Sequence, residues 1–310
     1  MKIVVTGALG HIGSALIRSP KLVEGCSHIF MIDDLSTQRY GSLFDLPKGT
    51  KYSFLEGDVS TLLSKELAQD IDAVIHLAGI TDPVATVTNP DWVYSNNLRI
   101  TQHVTDICAE TNTPLVFVST TSVYTSESPV VDEECIELNP ISPYAKCKLE
   151  EETYVRDNLK GRDFVIFRLG TIFGVSPGMR FHTAVNKFCW QAVNEEPIEV
   201  WSTAMDQLRP YLAVSDAAQI LTRSVLDRVF PGIVINAVTC NSTVRDVLEI
   251  IMKCGLEVEV KSVDSSVMND LSFQTSTKRA AKFGFDFQGD LGRDVQATLN
   301  VLGGLRHSLN

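Results

Sequence analysis

Short apolar runs alternate with longer amphipathic stretches along most of this chain. The runs at 2–6, 28–32, 52–55, 72–77, 115–119 and 163–168 are apolar and bounded by polar or glycine positions, as buried strands are. Helical spacing of apolar residues fits the segments 11–19, 60–69, 91–111, 143–160 and 181–194. Alternation of this kind predicts an α/β fold, a doubly wound parallel sheet of Rossmann type with helices on both faces. Past Gly174 the pattern loosens. Residues 211–229 read as a return to the main sheet with a helix. Helices near 243–253 and 290–302 flank a strand near 257–261. The expected division is a main domain of 1–170 with 211–238 and a smaller C-terminal lobe of 171–210 with 239–310. The tail 303–310 is expected to fray.

Sheets of this kind bind ligands at the carboxyl ends of their strands, so the residues after each run carry the most information. The first run leads into Gly7-Ala8-Leu9-Gly10-His11-Ile12-Gly13. Gly7 permits a turn with positive φ, Gly10 lets the backbone approach a pyrophosphate, and Gly13 lets the helix pack closely. The helix start at His11 and Ile12 offers free N–H groups to phosphates. The second run ends in Asp33-Asp34, and Asp33 lies 20 residues beyond Gly13. An acid there accepts hydrogen bonds from ribose hydroxyls and repels a 2′-phosphate, which favours NAD over NADP. Asp58 follows the third run and serves either as a ligand group or as the N-cap of the next helix. Small residues, Leu77-Ala78-Gly79, close the fourth run, where a flat cofactor could lie against the backbone. Ser119-Thr120-Thr121-Ser122 closes the fifth.

Composition narrows the partners. The 310 residues are 44% hydrophobic and 21% charged, with a net charge of −11 and a pI near 5.0. An acidic chain argues against nucleic acid and anionic membrane surfaces, which need clustered cations. Seven cysteines form no CxxC pair, so a reduced, cytoplasmic setting is expected. Cysteine and histidine show no metal-ligand spacing, and no metal is expected. No apolar stretch approaches the length of a membrane helix. The chain enters its first strand at once, and no signal peptide is expected.

Tyr144 and Lys148 are four residues apart, which on a helix places them on one face. A tyrosine with an ordinary pKa of about 10 is a poor base at neutral pH. A neighbouring ammonium, and the positive ring of an oxidised nicotinamide, favour the phenolate. Tyr144 is then expected to take a proton from a substrate hydroxyl, with Lys148 also holding the nicotinamide ribose. Pro140 and Pro143 define the helix start. Thr120, at a strand end, is placed to bond the reacting oxygen, and strand alternation is expected to send Thr121 and Ser122 to different sides.

With these motifs in this order, the chain resembles the extended short-chain dehydrogenase/reductase family, specifically its nucleotide-sugar epimerases and dehydratases. The resemblance rests on Thr6–Gly13, Asp33–Thr37, Gly57-Asp58-Val59, His76–Gly79, Asn97 with Thr101, Ser119–Tyr124, Tyr144 with Lys148, Arg168-Leu169, Phe173-Gly174 and Arg209-Pro210-Tyr211. It implies that Tyr144 is the base, Lys148 its partner and Thr120 the supporting hydroxyl. Asp33 and Asp34 would lie at the adenosine ribose, Asp58 and Val59 near the adenine, and Asn97 beside the cofactor. Arg209 would meet the substrate diphosphate, Arg180 and His182 would lie where the family builds its sugar-nucleotide pocket, and Thr121 and Thr171 would also contact the substrate. Where dehydratases of this family carry an acidic pair, this chain has Thr121-Ser122; Thr171 and Thr125 replace the family's usual Asn and Gly. The implied activity is an NAD-dependent nucleotide-sugar epimerase, an isomerase acting at sugar carbon-4 through a keto intermediate. Dehydration, decarboxylation or ketoreduction on the same scaffold is the first alternative. A non-catalytic NAD-sensing binding protein is the second. The helices near 91–111 and 143–160 resemble those that join family members into homodimers.

Overall fold

The computed structural model describes residues 1–81, 86, 88–140, 142–263 and 272–303. Most of the expected tail, 304–310, lies outside them. The strands in chain order are β1 (Lys2–Thr6), β2 (His28–Asp33), β3 (Lys51–Glu56), β4 (Ala73–His76), β5 (Leu115–Thr120), β6 (Val130–Val131) and β7 (Phe164–Leu169). They continue with β8 (Thr171–Phe173), β9 (Ile198–Trp201), β10 (Arg209–Ala213), β11 (Pro231–Ala237), β12 (Cys240–Ser242), β13 (Val260–Val263) and β14 (Gln274–Thr275). Seven of them form one sheet in the order β11-β7-β5-β4-β1-β2-β3, parallel at every pairing. The order reverses between β1 and β4, so the ligand crevice of this fold opens beyond Thr6 and His76.

A parallel sheet covered on both faces needs strands without polar sides. Accordingly β4 and β7 are buried at every position. One core lies on the face covered by the helices His11–Leu16 and Val214–Leu226, and includes Ile3, Val5, Ile29, Phe167 and Leu221. The opposite face packs Val4, Val74, Phe117 and Ile166 against Val104, Cys108 and Val155, residues of the helices Pro90–Thr111 and Pro143–Asn158. A separate core joins Phe173, Val185, Phe188, Val247 and Val295 around the smaller sheets.

Several boundaries differ from the sequence expectation. The segment 11–19 is helical only over His11–Leu16, because Pro20 starts a new helix, Pro20–Gly25. The segment 60–69 is two helices, Val59–Leu62 and Lys65–Gln69, since Ser64 turns its hydroxyl to cap Leu67 N. The expected helix 181–194 begins at Ala184. Residues 211–213 do not return to the main sheet. They belong to β10, which pairs with β8 and β12 in a three-stranded sheet. The main sheet gains its seventh strand from β11 instead, a run the apolar pattern does not single out. The strand expected near 257–261 is β13, paired with β9.

Candidate active site

The glycine loop is built by close backbone packing at the switch point. Gly7 has φ +63°, and a Cβ there would lie 2.7 Å from the Ala78 nitrogen. The loops after β1 and β4 therefore touch through a position only glycine fits. A Cβ at Gly13 would sit 2.4 Å from the Gly7 carbonyl oxygen and 2.6 Å from that of Ala8. Thus Gly13 packs against the loop's own carbonyls rather than against the strand. Gly10 caps the helix with extended backbone. The His11 side chain is buried and its Nε2 lies 2.8 Å from the Gly174 carbonyl. Burial pushes its pKa down to about 4, so it is neutral at physiological pH. What His11, Ile12 and Gly13 present at the helix start is backbone N–H, which has no partner within the first turn.

Asp33, at the end of β2, accepts from the Leu9 amide at Oδ2 and the Leu35 amide at Oδ1, both at 3.0 Å. Burial raises its pKa and these amides oppose the rise. Each oxygen keeps a lone pair for a ribose hydroxyl. Exposed Asp34 caps a turn by accepting from Ser36 N. Asp58 caps the helix Val59–Leu62 through Ser60 N and pairs with Arg99 at 2.6 Å. Those hydrogen bonds, Arg99 foremost, hold its pKa down to about 2. The capping role is therefore occupied, and Val59 beside it is buried. Asn97 is fully buried and spends its amide on Ile80, accepting from the nitrogen at 2.8 Å and donating to the carbonyl at 2.9 Å. It shapes the Leu77-Ala78-Gly79 loop from behind.

The helix Pro143–Asn158 starts on Ser142, whose hydroxyl accepts from Ala145 N, with Pro143 in the first turn. It packs on β5, which ends at Thr120, and on the following 3-10 turn. Thr120 Oγ1 accepts from Ser122 N at 3.1 Å and retains its proton to donate. Thr121 and Ser122 lie in a 3-10 turn, Thr121–Val123, not on a strand. Thr121 is buried and donates to the Leu169 carbonyl; Ser122 is exposed.

The electrostatics correct one expectation. Tyr144 is not made acidic by its surroundings in the protein alone. Burial raises its pKa, and the lowering by Lys148 and Arg180 falls short of reversing it. Lys148 itself is buried, with Nζ 3.0 Å from Glu151 Oε2 and 4.9 Å from the Phe117 ring centre. Burial alone would lower its pKa; the charge of Glu151 first, then Tyr144, raises it instead. Lys148 is thus firmly an ammonium.

In the three-stranded sheet, Thr171 opens β8 and faces Tyr211 of β10 in register. Arg209 starts β10 and donates to Gln207 Oε1 at 2.6 Å. Arg180 donates to Thr81 Oγ1, reaching across the crevice to the loop after β4. His182 is half-buried just before the helix Ala184–Val193. Three contacts are not foreseen from the sequence motifs, although Arg168 itself belongs to one. Ser176 and Gly178 close over the glycine loop: Ser176 Oγ donates to the His11 carbonyl and Gly178 N to Ser14 Oγ, each at 2.8 Å. Arg168 and Glu152 form a buried bidentate pair at 2.9 and 2.8 Å. Glu151 reaches Lys148. Only the last has a local signal, its three-residue spacing.

Gly7 and Gly13 let the loop fold in tight backbone contact behind a helix start that offers free N–H groups, and Asp33 sits at the next strand end with lone pairs to spare; these residues fit a dinucleotide. Together with a tyrosine and lysine on one helix face they define a nucleotide-dependent enzyme of the extended short-chain dehydrogenase/reductase class. A family profile agrees: residues 3–237 match the NAD dependent epimerase/dehydratase family. The chain belongs to that family, and its cofactor is NAD. A UDP-glucuronate 4-epimerase of Thermodesulfobacterium geofontis is 29% identical over 227 residues, 70% of this chain and 69% of that protein. The uncharacterized UDP-glucose epimerase YtcB of Bacillus subtilis is 29% identical over 234 residues, 72% of each. Among solved structures, the UDP-glucuronic acid 4-epimerase of Bacillus cereus, in complex with UDP-glucuronic acid and NAD, superimposes with a TM-score of 0.86. It shares 24% identity, over 98% of this chain and 100% of that one, a likeness of fold.

Proposed function

We propose that this enzyme is a nucleotide-sugar 4-epimerase, with a UDP-sugar as substrate and a keto sugar as intermediate. The observation that carries it is a permanent ammonium, Lys148, one helical turn from a half-buried Tyr144, at the strand ends where the cofactor cradle opens. The likeness to the UDP-glucuronate 4-epimerase of Thermodesulfobacterium geofontis supports the choice of carbon. The loop Gly7–Gly13 would hold the pyrophosphate, Asp33 the adenosine ribose, and Lys148 the nicotinamide ribose. Bound NAD supplies a redox partner that makes reversible oxidation of a sugar carbinol possible. Tyr144 Oη takes the proton of the 4-hydroxyl and later returns it. Thr120 donates its hydroxyl to the same sugar oxygen. Arg209 and Arg180 bind the diphosphate, with Thr171 and His182 along the sugar pocket of a lobe made from 171–210 and 239–310.

Thr121 and Ser122 supply no acid to protonate a departing hydroxyl, which weighs against dehydration. A homodimer in a reduced cytoplasm belongs to the same reading: the helices Pro90–Thr111 and Pro143–Asn158 pack side by side, and Trp92 on the first is 52% exposed.

The test is Tyr144→Phe. Turnover of a UDP-sugar panel, followed by chromatography and mass, should fall about 10²–10⁴-fold while NAD remains bound. Products lighter by water or carbon dioxide would replace epimerisation with the family's other reactions. Unchanged turnover would remove Tyr144 from the mechanism.

A further inference from the structure

Behind Lys148 runs a continuous buried chain of hydrogen bonds. The amides of Leu77 and Ala78 both donate to Thr6 Oγ1 at 3.2 Å. Thr6 Oγ1 lies 2.7 Å from His76 Nδ1, and His76 Nε2 lies 3.3 Å from Thr101 Oγ1. Thr101 Oγ1 donates to Glu151 Oε1 at 2.6 Å, and Glu151 Oε2 lies 3.0 Å from Lys148 Nζ. Only one assignment of protons satisfies every member. Thr101 gives its proton to Glu151, so it accepts from His76 Nε2–H, and His76 Nδ1 accepts from Thr6. His76 is therefore neutral, as its burial also requires, with a pKa pushed down to about 3. Glu151, 1% exposed, is the acceptor on which the chain ends.

Resting on the catalytic roles given above to Tyr144 and Lys148, we propose that Glu151 is a positioning residue that pins the Lys148 ammonium and cancels part of its field at the Tyr144 phenol. An unpaired lysine would be a stronger activator but would swing on four rotatable bonds; the ion pair trades field for fixed geometry. The charged and titratable groups around the pair are few among the described residues. Cys147 on the same helix is neutral, its thiol pushed up to about 12 by burial. His76 from β4 is neutral. Arg180, from the segment before the helix Ala184–Val193, adds positive charge at Tyr144. Glu151 is the carboxylate that acts on both Tyr144 and Lys148.

The experiment is an alkaline phenolate titration by absorbance near 295 nm, on wild type and Glu151→Gln. Subtracting the matching Tyr144→Phe background isolates Tyr144. The Tyr144 transition should fall by about one pH unit in E151Q and stay near the wild-type position in Glu151→Asp. The acid limb of kcat on a turned-over UDP-sugar should move the same way. If E151Q does not fold, Glu151→Met, which removes the same charge at similar volume, is the second arm, with a shift in the same direction. A transition that stays put or rises in the folded variant overturns the proposal, even if Tyr144→Phe abolishes turnover. A downward shift together with an active Tyr144→Phe would uphold the electrostatics and sink the catalytic assignment instead.

Discussion

Gly13→Ala sets two opposed effects against each other. Gly13 lies inside a helix, and alanine there is worth about 1 kcal/mol in helix propensity. By that measure the substitution should stabilise. The added methyl, however, would meet the Gly7 oxygen at 2.4 Å, the Ala8 oxygen at 2.6 Å and the Ala8 carbonyl carbon at 2.7 Å. All three are backbone atoms that no rotamer change can clear. Relieving an overlap of well over half an ångström means pushing the helix away from the loop, at a cost of roughly 1–3 kcal/mol. The clash outweighs the propensity gain. The displaced backbone is the cradle itself, so NAD affinity should drop by at least tenfold, about 1.4 kcal/mol. Calorimetric titration of the apo-protein with NAD, beside thermal melts with and without cofactor, reads both effects. Gly41→Ala is the control, because nothing lies within 4 Å of its Cβ position. A Gly13→Ala protein that binds NAD like wild type and melts no lower would refute the idea that this contact shapes the site.

Three further outcomes are expected. Glu152→Gln leaves the Arg168 guanidinium, 2% exposed, without its carboxylate, and should cost about 3–5 kcal/mol in urea unfolding; an apolar double replacement of Glu152 and Arg168 should recover most of it. Because His76 is buried neutral with its pKa lowered to about 3, the unfolded chain binds its proton first as pH falls below about 6.5. Stability contributed by neutral His76 is thus full above that pH and drains away toward pH 3; denaturant midpoints should fall less steeply with acid in His76→Asn, and equal slopes would count against it. Sedimentation of wild type and Trp92→Lys tests the dimer: wild type should run as a dimer and the variant as a monomer, whereas two monomers would dismiss the helix-pair interface.

Local sequence carries the elements whose cause is local. The glycine loop, the acid ending β2 and the tyrosine–lysine pair each depend on spacings of a few residues, so their placement at strand ends is legible in the chain itself. Register with a distant partner is not. Nothing near Tyr211 says that it pairs with Thr171 instead of joining the main sheet, because a short apolar run fits either neighbour. Nor does the sequence around Ser176 and Gly178 announce that it folds back over a loop more than 160 residues earlier.

The sharpest division falls at Tyr144. Its spacing to Lys148 is a property of the helix and is legible as such. How acidic the phenol is depends on burial, on Glu151 taking up the lysine's charge, and on Thr101 and His76 holding that glutamate, contributions delivered by three different elements. Spacing along a chain determines which groups can meet. The dielectric and the countercharges they meet in are set by what the rest of the fold packs around them, and that is a tertiary quantity.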